Sequence, residues 1–557
     1  MPHGQTSSPS TEPRSDWRGF RQHVAADASA GFLVFLIALP LCLGISMASG
    51  FPAVAGIFTA VIGSLACGLL SNSQLTIKGP AAGLIVIVLG AVTQFGFTNG
   101  RDPAADLQAY RLALGVGVAG GCLQIVMALL RTGVLSELFP ASVVHGMLSA
   151  IGVIIISKQV HTVLGVPPES SEPLELLAQI PSSLRHMNPE IALIGLMSLL
   201  LLLVLPGARW AWLRRVPAPL AVILLAIPLG LYFQLEDEHT YSFGGHIFGL
   251  GPSFLVNVPQ RILSAVTLPD FSALQTAAGW KWALLFALIG SLESLLSAKA
   301  IDQIDPWRRK TNFDRDLLAV GLSNVCCAFI GGLPMISEIV RSKANIDNGA
   351  RTRFSGMWHG LFLALFVALA PGLIHEIPLA ALAAMLVYTG FRLASPREFV
   401  HVYQIGREQL LIFSVTVLVV LTTDLLVGIA AGIVCKLLLH VVNGAPIRSL
   451  IRPQVTVHPQ QDDQTVVSIR DSAVFSGWLS LKRGIEGAGT SSSVIVDLSE
   501  TQLVDHTVME RLHEMQREFD ERQASLVITG LERHVPVSKH PFATQKRSGE
   551  FPPVQPR

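Results

Sequence analysis

The chain has 557 residues, half of them hydrophobic and only 14% charged, with a mean hydropathy of +0.52. This is the profile of a polytopic membrane protein, not of a soluble enzyme. A formal net charge of +1 gives no bulk attraction to nucleic acid.

Residues 1–27 are polar and rich in Pro and Ser, with no short apolar core near Met1. They are expected to be a cytoplasmic segment without a cleavable signal peptide. A spanning helix needs roughly 20 apolar residues. Runs near that length occupy 29–48, 53–70, 111–130, 141–158, 190–205, 217–233, 278–298, 317–331, 356–373, 378–391, 409–423 and 426–442. Two further segments are broken: 79–95 opens on Gly79-Pro80, and 335–346 follows 331-GGLP-334. Each is the third of seven, which predicts about fourteen spans arranged as a 7+7 inverted repeat with two half-helices. The first transmembrane repeat is 28–233, a polar connector is 234–276 and the second repeat is 277–443.

Lys and Arg concentrate in loops on one side: Arg131, Arg209, Arg214, Arg215, Lys299, Arg308, Arg309, Lys310, Arg351, Arg353, Arg392, Arg397 and Arg407. That side is expected to be cytoplasmic, and an even count of spans puts both termini there. The six cysteines (Cys42, Cys67, Cys122, Cys326, Cys327, Cys435) lie in apolar runs without zinc-ligand spacing, as expected of reduced, packed thiols. Past residue 450, 465-TVVSIR-470, 493-SVIVDLSE-500 and 525-SLVITG-530 read as strands. Residues 507–523 read as a helix with apolar Val508, Leu512 and Met515. This predicts a small soluble α/β domain over 453–533, with a disordered tail over 534–557.

The candidate chemistry lies at the breaks. Pro80 removes a backbone donor and Gly79 loosens the helix, which lipid tolerates only where the backbone is buried or lines a cavity. A half-helix that begins inside the membrane exposes N–H groups and the positive end of its dipole, which suits an anion. Ala81, Ala82 and Gly83 are small enough for close approach, and Ile336 and Ser337 are expected to open the second half-helix. The competing reading is a kink filled by neighbouring helices. Glu293, deep in 278–298, is expected to couple transport to a proton. A cation site, or a structural pair with a nearby base, are the alternatives. Arg341 could attract the anion or pair with a carboxylate. His145 is expected to be a packing residue and Asp424 a helix cap. No P-loop, nucleophile elbow or HExxH is present, so an enzyme is not expected.

Four passages resemble the SulP (sulfate permease) family of anion transporters with a C-terminal STAS domain. They are 50-GFPAVAGIFTAVIGSL-65, the stretch from Gln74 to Gly83, 321-GLSNVCCAFIGGLPMISEIVRSKANIDNGARTR-353 and 493-SVIVDLSETQLVDHTVMERL-512. In the third, Asn324, Gly331-Gly332, Pro334, Arg341, Asn345 and Gly349-Ala350-Arg351-Thr352 match in order. The resemblance covers about 20–530. It implies a core domain moving against a gate domain, and a homodimer in the inner (plasma) membrane. It also implies a secondary transporter of a small inorganic anion, bicarbonate or sulfate, in symport with H+ or Na+. An anion channel or voltage-responsive protein on the same fold is the alternative. No cofactor is implied, and a cytoplasmic partner of the STAS domain is allowed.

Departures from the family pattern are Leu41 and Cys42 after Pro40, Lys78 where a small or hydroxyl residue is usual, and Glu338 where a small residue is usual. They point away from sulfate and towards the bicarbonate branch. Lys78 and Glu338 are expected to approach each other and form an ion pair beside the anion. In the STAS signature, Asp497-Leu498-Ser499 and Asp505-His506-Thr507 stand at the strand-loop-helix. Thr507 is expected to be the helix N-cap, and His506 replaces a small residue.

Overall fold

A computed structural model describes residues 12–547, apart from 138, 169, 171, 210–215, 259–261, 460–463, 488–492 and 522–523. Arg214, Arg215 and the outermost parts of both terminal segments (1–11 and 548–557) lie outside the described residues. The chain forms two compact units, residues 1–133 with 151–393, and residues 134–150 with 394–557.

The first unit runs α1 (Trp17–Ala48), α2 (Ala53–Leu70), β1 (Ile77–Pro80), a 3₁₀ turn (Ala82–Leu84), α3 (Ile85–Gln94) and α4 (Pro103–Leu129). Helix α5 (Ala141–Val163) enters it at residue 151 and is followed by α6 (Pro173–Arg185), α7 (Pro189–Val204) and α8 (Ala218–Tyr232). A hairpin of β2 (His239–Phe243) and β3 (His246–Leu250) occupies the polar connector. Then come α9 (Ala277–Ile304), α10 (Phe313–Ile330), β4 (Met335–Glu338), α11 (Ile339–Asp347), α12 (Phe354–Leu369), α13 (Pro371–His375) and α14 (Leu379–Leu393). Capping fits the sequence: Asp16 accepts from Arg18 N and Gly19 N, and Asp102 caps α4 with Pro103 in its first turn.

Every run read as a span is largely helical, except where 79–95 and 335–346 open on β1 and β4; 356–373 crosses from α12 into α13 at Ala370. Among the described residues, eight helices are long and apolar enough to cross a membrane. Three shorter apolar helices include Ala82–Gln94. Pro40 stands inside α1 without ending it. Helix α4 packs against α10 and α9, and α1 against α12, α2 and α14.

The second unit holds α15 (Pro396–Ile405), α16 (Arg407–Thr422), α17 (Leu425–Val442) and α18 (Ile447–Ile451). Asp424 caps α17, as expected, by accepting from Val427 N at 2.9 Å. An α/β domain follows: β5 (Gln454–Pro459), β6 (Gln464–Ala473), α19 (Trp478–Gly487), β7 (Ser493–Asp497), β8 (Thr501–Val504), α20 (His506–Glu521), β9 (Ser525–Thr529), β10 (His534–Pro536) and β11 (Gln545–Arg547). Strand β6 is flanked in parallel by β7 and β8, and β9 continues the sheet beyond β7. Val508, Leu512 and Met515 of α20 are buried against this sheet, as their spacing predicts.

Two expectations are corrected. The segment after Val535 is not structureless throughout, because β10 pairs with β11 and β11 with β8. Extended backbone there satisfies its polar groups in the sheet. The cysteines are not uniformly packed either: Cys42, Cys67 and Cys327 are buried, whereas Cys122 and Cys326 are exposed and Cys435 is intermediate. The last three fall on faces of α4, α10 and α17 turned away from the protein interior.

Candidate anion and coupling site

The two breaks meet. Strands β1 and β4 pair antiparallel, with Ile77 opposite Glu338, Lys78 opposite Ser337, Gly79 opposite Ile336 and Pro80 opposite Met335. Ile336 and Ser337 therefore do not open the second half-helix, which begins at Ile339. The reason is backbone satisfaction: buried N–H and C=O groups freed by one break find partners at the other. The first half-helix does open where small residues allow it, with Ala81 as the cap and Ala82–Leu84 as a 3₁₀ turn leading into α3.

The ladder also corrects the expected Lys78–Glu338 pair. Successive side chains on a strand point to opposite faces, and Glu338 stands one residue beyond Lys78's partner. Lys78 instead reaches α10, where its Nζ donates to Asp316 Oδ1 at 2.7 Å and Oδ2 at 2.9 Å, and to Ser337 Oγ at 2.5 Å. Asp316 also accepts from Ser71 Oγ at 2.5 Å. Both charges are almost fully enclosed, at 3% and 1% side-chain exposure, so Lys78 is compensated without drawing on Glu338.

Asn324 fixes the start of β4. It accepts from Met335 N at 2.7 Å and donates to Met335 O at 3.2 Å and to Gln124 Oε1 at 2.7 Å. Thr59 accepts from Leu333 N at 2.7 Å. Ser337 N donates to Ser294 Oγ on α9, and Ile77 N donates to Ser342 Oγ on α11. These anchors bring α2, α4, α9, α10 and α11 onto one short ladder.

Two charged side chains reach its ends. Arg341, in the first turn of α11, is 1% exposed. Its Nη2 donates to Pro80 O at 3.1 Å, its Nη1 lies 3.5 Å from Cys42 Sγ, and its Nε has no partner. A Cβ on Gly79 would meet Nη1, so a larger residue there would displace the guanidinium from its present position. Among the described residues no carboxylate lies within ion-pair distance of Arg341, which leaves donors of this buried cation for another anion. Glu293, on α9, is 8% exposed and its Oε1 has no hydrogen-bond partner. Its carboxyl group presses on the 3₁₀ turn so closely that a Cβ on Gly83 would overlap both oxygens. Glu338 Oε1 is likewise buried without a partner.

The structure thus groups Lys78, Gly79, Ala81, Ala82, Gly83, Glu293, Ile336, Ser337, Glu338 and Arg341 around one ladder. Sequence reasoning missed Asp316, Ser71, Ser294 and Gln124. Asp316 stands with Asp314 in the first turn of α10, where acidic residues are ordinary, and is 238 positions from Lys78. Elsewhere in this unit a cavity of about 430 Å³ is lined by Gly44, Lys158, Gln159, Thr162, Leu382 and Leu386, among others. Among the described residues Lys158 is its only charged wall residue.

In the second unit, Thr507 is not the N-cap of α20. Asp505 Oδ1 accepts from Val508 N at 2.7 Å, and Asp505 O from Met509 N at 3.0 Å, which makes Asp505 the cap. Carboxylates cap better than threonine, and the helix starts two positions earlier than a Thr507 cap would place it. His145, expected to pack with one hydrogen bond, has its Nδ1 3.4 Å from Glu398 Oε2.

A helical membrane core whose two halves each carry a broken third segment, followed by an α/β domain, defines the class: a polytopic membrane protein with the architecture of a secondary transporter. Residues 24–416 match the sulfate permease family, and the chain belongs to that family. The putative sulfate transporter YvdB of Bacillus subtilis is 26% identical over 74% of this chain and 72% of its own. The bicarbonate transporter BicA of Picosynechococcus is 22% identical over 74% and 69%. The solved transmembrane domain of a cyanobacterium bicarbonate transporter BicA matches with a TM-score of 0.61 at 23% identity, over 74% of this chain and 98% of that one. The structure of SLC26A9 matches with a TM-score of 0.67 at 14% identity, over 92% and 85%. At such identities the solved structures speak for the fold. The α/β domain is consistent with STAS, and the family's members are transporters, not enzymes.

Proposed function

We propose that the protein is a secondary active transporter of a small inorganic anion, bicarbonate or sulfate, moved by alternating access together with a proton or a sodium ion. The observation that carries this reading is the convergence of two incompletely partnered buried charges on one broken segment. Arg341 lies against Gly79 and Pro80, and Glu293 lies against Gly83. The guanidinium and the N–H groups from Ala81 to Gly83 attract an anion. An ionised Glu293 would repel it: two unit charges 4 Å apart interact by about 4 kcal/mol at an effective dielectric of 20. Neutralising Glu293 with a proton or a cation removes that repulsion, so anion and coupling ion bind together. Of the relatives, one is named a putative sulfate transporter and another a bicarbonate transporter, which supports this class of substrate.

In this reading the membrane is the inner (plasma) membrane, both termini are cytoplasmic, the working form is a homodimer and the α/β domain regulates transport or recruits a cytoplasmic partner. Reconstituted protein tests the coupling. Concentrative uptake of labelled bicarbonate and sulfate is measured with and without sodium and with a pH gradient, beside anion exchange at equilibrium. Glu293→Gln is expected to abolish concentration and to retain exchange. Unchanged concentrative uptake refutes the coupling role.

A further inference from the structure

Helix α17 reads LLVGIAAGIVCKLLLHVV, an apolar helix interrupted by Lys436 and, one turn on, His440. Spacing of i and i+4 places both on one face. Lys436 is completely enclosed, at 0% exposure. Its Nζ donates to Thr507 Oγ1 at 2.7 Å and lies 3.2 Å from Asp505 Oδ2, with the Phe475 ring centroid at 5.1 Å. His440 Nε2 lies 3.5 Å from the same Asp505 oxygen. Asp505 and Thr507 belong to the α/β domain, at the start of α20.

Asp505 is at once the cap of α20 and an acceptor for Phe475 N at 3.0 Å, which ties the α19 side of the sheet to the same carboxylate. Burial pushes its pKa up, but Lys436 first, then His440 and the two N–H donors, hold it below the ordinary carboxylate value. An enclosed lysine with no carboxylate is costly in an apolar helix, and so is a buried carboxylate without a cation. Each charge therefore needs the other.

We propose that Asp505 is the obligate counter-ion of Lys436, so that docking of the α/β domain and burial of the final helix's lysine are one event. The domain is held by this charge cluster, not only by the connecting segment through α18. A second polar contact serves as the comparison. Glu137 accepts from Trp478 Nε1 at 2.7 Å and from Lys482 Nζ at 2.6 Å, but both charged groups keep solvent contact, at 13% and 21% exposure. Partly exposed pairs contribute little.

The test uses the full-length chain in detergent and four variants: Lys436→Met, Asp505→Asn, the double variant, and Glu137→Gln. Asparagine keeps the capping oxygen, so Asp505→Asn removes charge and not the cap. The readouts are the amount of folded protein recovered and amide hydrogen exchange over 473–478 and 505–512. Each single change within the buried cluster is expected to raise exchange in both segments by at least about tenfold, and Glu137→Gln by less than about threefold. Over 505–512 the double variant is expected to return to within about threefold of the parent, because two neutral groups need no counter-ion; over 473–478 it recovers only in part, because the asparagine amide nitrogen replaces the oxygen that accepts from Phe475 N. If the single variants are not recovered folded, recovery of the double variant supports the same conclusion. The proposal is overturned if Lys436→Met leaves exchange at 505–512 unchanged, or if the double variant is recovered or protected no better than the worse single variant.

Discussion

Replacing Lys78 by methionine removes one member of the Lys78–Asp316 pair and leaves the aspartate enclosed. At 2.7 Å the gross attraction is about 6 kcal/mol for an effective dielectric of 20. Desolvation of both ions offsets much of it, and deleting one partner of such a buried pair costs about 3–5 kcal/mol. Asp316 would keep Ser71 Oγ and, at 3.5 Å, Ser337 Oγ as donors, and β1 would lose the tie to α10 that Lys78 makes. Lys78→Met is therefore expected to lower the thermal midpoint in detergent by several degrees and to depress uptake, because Gly79 to Gly83 follow directly on the loosened strand. Asp316→Asn in the same chain removes the stranded charge while keeping an acceptor for Ser71, and is expected to restore more than half of the lost stability. Glu338→Gln in the Lys78→Met background is expected to restore none. Thermal unfolding followed by fluorescence size exclusion, with uptake in proteoliposomes, reads both effects. A double variant with Asp316→Asn that is no more stable than Lys78→Met alone refutes the pairing argument, as does rescue by Glu338→Gln.

Gly83→Ala drives a methyl group into the Glu293 carboxyl group; overpacking of about 1–3 kcal/mol is expected to cut anion exchange about tenfold, whereas Ala82→Gly, which adds no atom, leaves exchange nearly intact. Lys158→Met removes the one charge that the described residues give the 430 Å³ cavity and is expected to raise KM several-fold with little change in kcat, an effect that fades as ionic strength rises. Equal loss in kcat would instead place Lys158 in the transport step. His506 is buried, and desolvation, the largest cause, carries its pKa down to about 4 from an ordinary 6.5. The unfolded chain thus binds a proton that the folded domain refuses between those values. Stability of the α/β domain is expected to fall as pH drops from 6.5 towards 4, by on the order of 3 kcal/mol, and to level off below. Unfolding measured across that range should lose this slope in His506→Gln, and an unchanged slope would assign it to another group.

The sequence by itself determined the class. Long apolar runs can only be helices in lipid, because every backbone group must be satisfied within the segment. Gly79-Pro80 and 331-GGLP-334 mark where that rule is broken, and their matching places disclose the repeat. The period of Val508, Leu512 and Met515 likewise fixes which face of α20 meets the sheet. These are local signals, carried by neighbours in the chain. What satisfies the broken backbone is not local. That β1 and β4 pair with each other, that Ile336 and Ser337 are strand and not helix, and that Lys78 meets Asp316 and not Glu338 depend on contacts across more than two hundred residues. Lys78 and Glu338 each stand at a break and carry opposite charge, which is all that the sequence pattern can report. The strand's alternation of faces, together with the approach of α10, decides which carboxylate is within reach. The same holds for Asp505, an unremarkable polar residue before a helix until the fold sets Lys436 against it.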